Sequence, residues 1–128
     1  MTTLTRIRLE MARNDDFPQG SSEHGYEFVA PVTVDGHIDA AAWAANKSHC
    51  GARRFWRGQP DQRGLLRHVG QGWRFDYDGA DDTDDEPFFK LDRHRLATGA
   101  YVSLLEQDGV TRVFKVIETI PLKHLRAA

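Results

Sequence analysis

The chain has 128 residues, 40% hydrophobic and 28% charged, with a formal net charge of −2. That length holds one domain with one substantial core, so a single unit over residues 1–128 is expected. The near-neutral balance excludes a chain steered as a whole toward nucleic acid or an anionic membrane, and the longest apolar run, Ala40 to Ala45, is far too short for a membrane-spanning helix.

Cys50 is the only cysteine. An intramolecular disulfide is impossible, and a reducing, cytoplasmic setting is the expectation. The opening M-T-T-L-T-R-I-R-L-E has no apolar stretch of the kind a signal peptide needs.

Thr5 to Met11 alternates strictly, with Thr5, Ile7, Leu9 and Met11 on one face and Arg6, Arg8 and Glu10 on the other. That pattern predicts a half-buried strand. Asn14 to Gly25 is rich in Asp, Ser, Gly and Pro and reads as a loop. Tyr26 to Val34 alternates again, and Pro31, which has no backbone donor, predicts an edge strand or a bulge there. Asp35-Gly36 reads as a turn. Asp39 suits a helix N-cap, Ile38 and Trp43 suit the flanking staple, and Gly51 suits the stop, which predicts a helix of about three turns with Trp43 as a lid on the sheet.

Ala52 to Arg57 is a strand candidate, and Gly58 to Gly64 reads as a loop. Leu65 to Val69 and Trp73 to Tyr77 predict a hairpin across Gly70-Gln71-Gly72, with Trp73, Phe75 and Tyr77 on one face. Asp78 to Pro87 reads as an acidic loop, Phe88 to Leu91 as a short strand, and Asp92 to Gly99 as irregular. Tyr101 to Ile117 carries Asp108-Gly109 between two β-type runs, the signature of a two-residue type I′ turn. That turn pairs Leu105 with Arg112, Ser103 with Phe114 and Leu104 with Val113, and leaves apolar residues on both faces. The hairpin is expected at the centre of the core, and the tail from Pro121 is expected to fray.

About seven short strands and one short helix predict a mainly β (α+β) chain, folded as a small, partly open antiparallel β-barrel or a strongly bent sheet. Several segments together resemble a small uncharacterised bacterial protein family: T-R-I-R-L-E at Thr5, H-G-Y-E-F at His24, R-R-F-W-R-G at Arg53, W-R-F-D-Y-D at Trp73, D-D-E-P at Asp84 and G-A-Y-V-S-L-L-E-Q-D-G at Gly99. The resemblance spans almost the whole chain. It implies one intact domain and brings no catalytic residues.

The strongest functional signal is a charge step. Arg53, Arg54, Arg57, Arg63, Arg67 and Arg74 stand against the single acid Asp61, and are followed by Asp76, Asp78, Asp81, Asp82, Asp84, Asp85 and Glu86 with no base among them. The basic stretch interleaves Phe55, Trp56, His68 and Trp73. Arginine beside exposed aromatic rings is what single-stranded nucleic acid requires, and arginine also recognises carboxylate and phosphate bidentately. The plainer reading makes these arginines the solvated face of strands whose aromatics are buried, with the acidic loop (Asp81, Asp82, Asp84, Asp85, Glu86) as an internal counter-ion. The weak binding candidates are therefore Arg53, Arg54, Trp56, Arg57, Arg67 and Arg74.

The acidic loop has the oxygens a hard cation takes, but its spacing fails the EF-hand pattern, and a solvated loop is favoured. His49-Cys50 would need His24, His37 or His68 brought close to form a zinc site, and no metal site or cofactor is expected. Gly70-Gln71-Gly72 lacks the strand-to-helix context of a phosphate loop, and no serine-elbow or His-Glu metalloprotease motif is present. No catalytic residue is singled out. The leading expectation is a non-catalytic binding or adaptor protein with a protein partner. A single-stranded nucleic-acid binder and a small enzyme of unrecognised type are the alternatives, and a homodimer is a further expectation.

Overall fold

The computed structural model describes residues 2–70, 72–77, 95–106 and 108–125. The strands are β1 (Thr2–Met11), β2 (Ser21–Val32), β3 (Gly51–Trp56), β4 (Gln59–Val69), β5 (Gly72–Tyr77), β6 (Tyr101–Leu105) and β7 (Thr111–Leu125), with one helix, α1 (Ala40–Ala45). They form one antiparallel sheet in the order β5-β4-β3-β2-β1-β7-β6, curled into a half-barrel. The expected mainly-β, bent-sheet architecture is thus the observed one.

The curl follows from side-chain contacts that a flat sheet could not make. Tyr26 on β2 and Glu106 just beyond β6 are separated by β1 and β7, three strand spacings or about 14 Å in a flat sheet. Their side chains nevertheless hydrogen-bond. On the other flank, Tyr26 and Phe28 of β2 meet Phe75 of β5 with ring centroids 5.2 and 5.3 Å apart. The concave face therefore holds the core: Ile7, Leu9 and Met11 of β1, Tyr26, Phe28 and Ala30 of β2, Trp73, Phe75 and Tyr77 of β5, and Val102, Leu104, Phe114 and Val116 of the last two strands.

Asp39 caps α1, its carboxylate accepting from the Ala42 amide at 3.0 Å, and Ile38 and Trp43 are both buried beside it. Trp43 seats the helix as a lid, with its indole N–H donating to the Leu66 carbonyl at 3.0 Å and its ring edge-on to Trp73. The helix is shorter than expected. Asn46 caps it and a single 3-10 turn (Lys47–His49) follows, so Gly51 opens β3 instead of stopping α1.

Several boundaries also differ from expectation. The loop before β2 ends at Gly20, and β4 runs through the stretch read as a loop, because Gly58, at φ +82°, turns the chain directly from β3 into β4. Pro31 lies in a strand flanked on both sides, yet its proline is accommodated. β3 pairs with β2 only from His24 to Phe28, and the Pro31 carbonyl, pointing to the side β3 has left, accepts from Asp39 instead. The tail does not fray at Pro121. It pairs with β1 as far as Leu125.

The largest correction concerns the last hairpin. The Glu106 amide donates to the Val110 carbonyl and the Gly109 amide to the Glu106 carbonyl, leaving a three-residue loop with Gly109 at φ +81°. Asp108 does not take the positive φ that a type I′ turn demands. A three-residue loop closed by a left-handed glycine is the other common solution for such a sequence. The extra loop residue shifts the register by one, to Leu104 with Arg112 and Val102 with Phe114. Val102, Leu104, Phe114 and Val116 now share one buried face, while Tyr101, Ser103, Val113 and Lys115 face out. The hairpin expected at the centre of the core contributes Val102, Leu104, Phe114 and Val116 to it, while β6 ends the strand order. The acidic loop and the expected strand at Phe88 lie outside the described residues.

Candidate functional site

The register of the last hairpin puts two charged side chains on the core face, Glu106 following Val102 and Leu104, and Arg112 preceding Phe114 and Val116. Across the half-barrel, β2 and β3 present two inward pairs: Tyr26 opposite Arg54 and His24 opposite Trp56. The curl brings Tyr26 and Arg54 against Glu106. With Asp16, Phe17, Gln59 and Asp108, the residues Arg54, Trp56, Glu106 and Arg112 line a pocket of about 490 Å³.

Glu106 is 1% exposed. The Tyr26 hydroxyl donates to its Oε2, and the Arg54 Nε lies 3.9 Å from the same oxygen. Its Oε1 is buried and has no hydrogen-bond partner among the described residues. Burial pushes the Glu106 carboxyl above the usual range, and the Tyr26 hydroxyl and the Arg54 and Arg112 guanidiniums oppose that rise. Arg54 lies over the Trp56 ring at 4.0 Å and donates to Gln59 Oε1 at 3.2 Å. Arg112 is tied to the hairpin turn through Asp108 at 3.2 Å and to the β1–β2 loop through Asp16 at 3.0 Å. These bonds raise its own pKa, and its Nε is buried without a partner among the described residues.

An aromatic wall closes one side. His24 stands edge-on to Trp56 with centroids 4.6 Å apart, and Phe17 lies 4.6 Å from His24. The Ser21 hydroxyl is 2.6 Å from His24 Nδ1. Burial lowers the His24 pKa, and Arg54 and Arg57 lower it further against the opposing pull of Glu23. The imidazole is therefore neutral at neutral pH, and it packs against Phe17 and Trp56, which line the pocket.

The charge-step residues are divided by strand alternation. Arg54 and Trp56 face the pocket. Arg53 faces out, paired with Asp61 at 3.0 Å and Glu27 at 3.5 Å, in a ladder that continues through Arg8 to Glu10. Its guanidinium and that of Arg8 cover Phe55. Arg57, in the β3–β4 turn, is 3.4 Å from Glu23, and Arg67 is 3.1 Å from Asp76. Arg74 is the cross-strand neighbour of Arg67 on the outer face. Of the interleaved aromatics, Trp73 is buried and stacks on His68 at 4.3 Å, leaving no exposed row of rings. Asp81, Asp82, Asp84, Asp85 and Glu86 lie outside the described residues.

Sequence reasoning missed Tyr26, Glu106 and Arg112 as site residues. The available signal was parity, since all three fall on core-facing positions of their strands. Among the described residues, no group of three or more His, Cys, Asp or Glu side chains is placed to hold a metal ion, and no helix is long and apolar enough to cross a membrane. Cys50 is buried, and desolvation pushes its thiol up to about 11, far from the range of a reactive cysteine. A wider groove of about 960 Å³ lies beside the β1–β2 loop, but none of its lining side chains has a buried unpartnered polar atom. Comparison with known proteins returns no match: no family model, no curated protein and no solved structure aligns with the chain.

Proposed function

We propose that this protein is a non-catalytic binding protein that takes a small, polar, ring-containing ligand in the pocket formed by Arg54, Trp56, Glu106 and Arg112. The observation that carries this reading is the Glu106 carboxyl. It is buried at the wall of a cavity and held through one oxygen, and its other oxygen has no partner among the described residues. Burying an ionisable group this way costs stability unless something completes its hydrogen bonds, and such local costs concentrate at functional sites. Trp56 and Phe17, backed by His24, supply the apolar wall that a small ligand needs beside a few polar anchors. The arginines that face outward support a protein or nucleic-acid surface less well, because Glu27, Asp61, Glu23 and Asp76 already neutralise three of them.

The test is a titration of the ¹⁵N-labelled protein with four single-ring probes that differ in one polar group: benzoate, benzamide, benzylamine and phenol. Saturable shifts of the Trp56 indole N–H and of the Glu106 amide with at least one probe are expected, and their loss in Trp56→Ala would place the probe in the pocket. No saturable shift at millimolar concentration with any of the four would overturn the reading.

A further inference from the structure

Two side chains that line the pocket each carry a buried atom with no hydrogen-bond partner among the described residues, Glu106 Oε1 and Arg112 Nε. The two side chains are close enough for each charge to shift the other's titration. One atom is an acceptor and the other a donor. Resting on the reading of the pocket as a ligand site, we propose that its ligand class is a neutral planar ring bearing an unsubstituted amide edge, either a carboxamide or a ring lactam. The amide N–H is given to Glu106 and the amide carbonyl is taken by Arg112.

Three features favour this class over its neighbours. Arg112 is already charge-compensated by Asp108 and Asp16. A carboxylate ligand would therefore meet two acids as well as Glu106, and like charges set against one another disfavour binding. An amine would satisfy Glu106 but would set a cation against Arg54 and Arg112. An amide carries no charge and offers a donor and an acceptor side by side. It also tolerates either state of Glu106: the ionised carboxylate accepts from the amide N–H, and the protonated acid donates to the amide carbonyl. The Trp56 and Phe17 wall suits the flat ring.

The experiment compares benzamide, N,N-dimethylbenzamide and benzoate by ¹⁵N titration, following the Arg112 side-chain Nε–H resonance directly. Benzamide should shift that resonance saturably. The dimethyl analogue, which has no N–H to give, should bind at least about tenfold more weakly, the factor that corresponds to losing one buried hydrogen bond. Arg112→Lys, which keeps the charge and loses the planar Nε–H, should weaken benzamide by a similar factor while retaining the far-ultraviolet spectrum of the fold. If benzoate binds as tightly as benzamide, or the dimethyl analogue does, the amide class is wrong while the pocket remains a binding site. If benzamide binds without moving the Arg112 Nε–H, the proposed pairing is wrong. Failure of all four probes of the preceding section would instead remove the site itself.

Discussion

Replacing Tyr26 by Phe isolates one hydrogen bond at the centre of the half-barrel. The ring would keep its stacked contact with Phe75 at 5.2 Å and its edge contact with Phe114 at 5.3 Å, so packing is preserved and only the hydroxyl is lost. That hydroxyl donates to a carboxyl that is 1% exposed. A hydrogen bond to a charged group contributes about 1.5–3 kcal/mol, against roughly 1 kcal/mol for a neutral pair. The cost of Tyr26→Phe should therefore depend on pH. Burial raises the folded-state pKa of Glu106 above its unfolded value, so between those two values the native state holds the extra proton. Stability attributable to Glu106 is then full at pH below the ordinary glutamate range, declines as pH rises through the folded value, and stays level above it. Tyr26→Phe removes a group that opposes the rise, which extends the decline to higher pH. The expected destabilisation is about 1 kcal/mol where Glu106 is protonated, growing to about 2–3 kcal/mol where it is ionised. Glu106→Gln keeps an acceptor for Tyr26 and removes the charge, so its stability difference from wild type should move in its favour over the same interval. Urea denaturation of the three proteins at pH 4, 6 and 8 measures these differences, and other titrating groups cancel between them. A cost of Tyr26→Phe that stays constant while wild type loses stability through the Glu106 titration, or a Glu106→Gln protein as pH-dependent as wild type, would refute the account of Glu106 as a buried carboxyl with a raised pKa.

Gly109→Ala should cost about 1–2 kcal/mol in chemical denaturation, because its φ of +81° is unfavourable for any side chain although nothing lies within 4 Å of the added methyl. Gly64→Ala should cost more and lower the melting temperature further than Gly109→Ala, since its methyl would sit 1.9 Å from the Asp76 carbonyl oxygen and force β4 and β5 apart. Asp39→Ala should cost about 1 kcal/mol by removing the cap of α1. Native Cys50, with its thiol raised to about 11, should resist a disulfide-exchange reagent at pH 8 and react only after urea is added. An NMR titration should find His24 protonating below its ordinary range. The sign is opposite to that of Glu106: its stabilising contribution is present above the unfolded imidazole value and lost as pH falls through the folded one.

Period-two alternation made most of the fold legible. Ile7, Leu9 and Met11, then Tyr26, Phe28 and Ala30, then Trp73, Phe75 and Tyr77 all face the core as their spacing implies. What the spacing leaves open is how one strand lines up with the next. Asp108-Gly109 serves a two-residue or a three-residue loop equally well, and the two differ by one residue of register. In the two-residue register Glu106 and Leu104 face Thr111, Val113 and Lys115, a mixed surface that marks no core. In the observed one the same face of β6 meets Arg112, Phe114 and Val116, and Leu104, Glu106, Phe114 and Val116 are all buried. The charge step misled for a related reason. Counting along the chain does not see that Glu27 sits across from Arg53 on the next strand, or that Asp61 and Asp76 lie within reach on the same outer face. Most of the outer arginines are satisfied locally.

The parity that identifies the core also identifies what does not belong there. Ala52, Arg54 and Trp56 form one inward series, Val102, Leu104 and Glu106 another, and Arg112, Phe114 and Val116 a third. Each contains one charged residue at a position where an apolar one would be more stable. No two of the three series are adjacent in the sheet except the last pair, and no local motif joins Arg54 to Glu106 or Arg112. They meet because the sheet curls, and the curl depends on the whole set of large aromatic side chains filling its concave face. A charged residue on a core-facing position is thus the sequence-level trace of this pocket. Reading three such traces as one site requires the fold that brings them together.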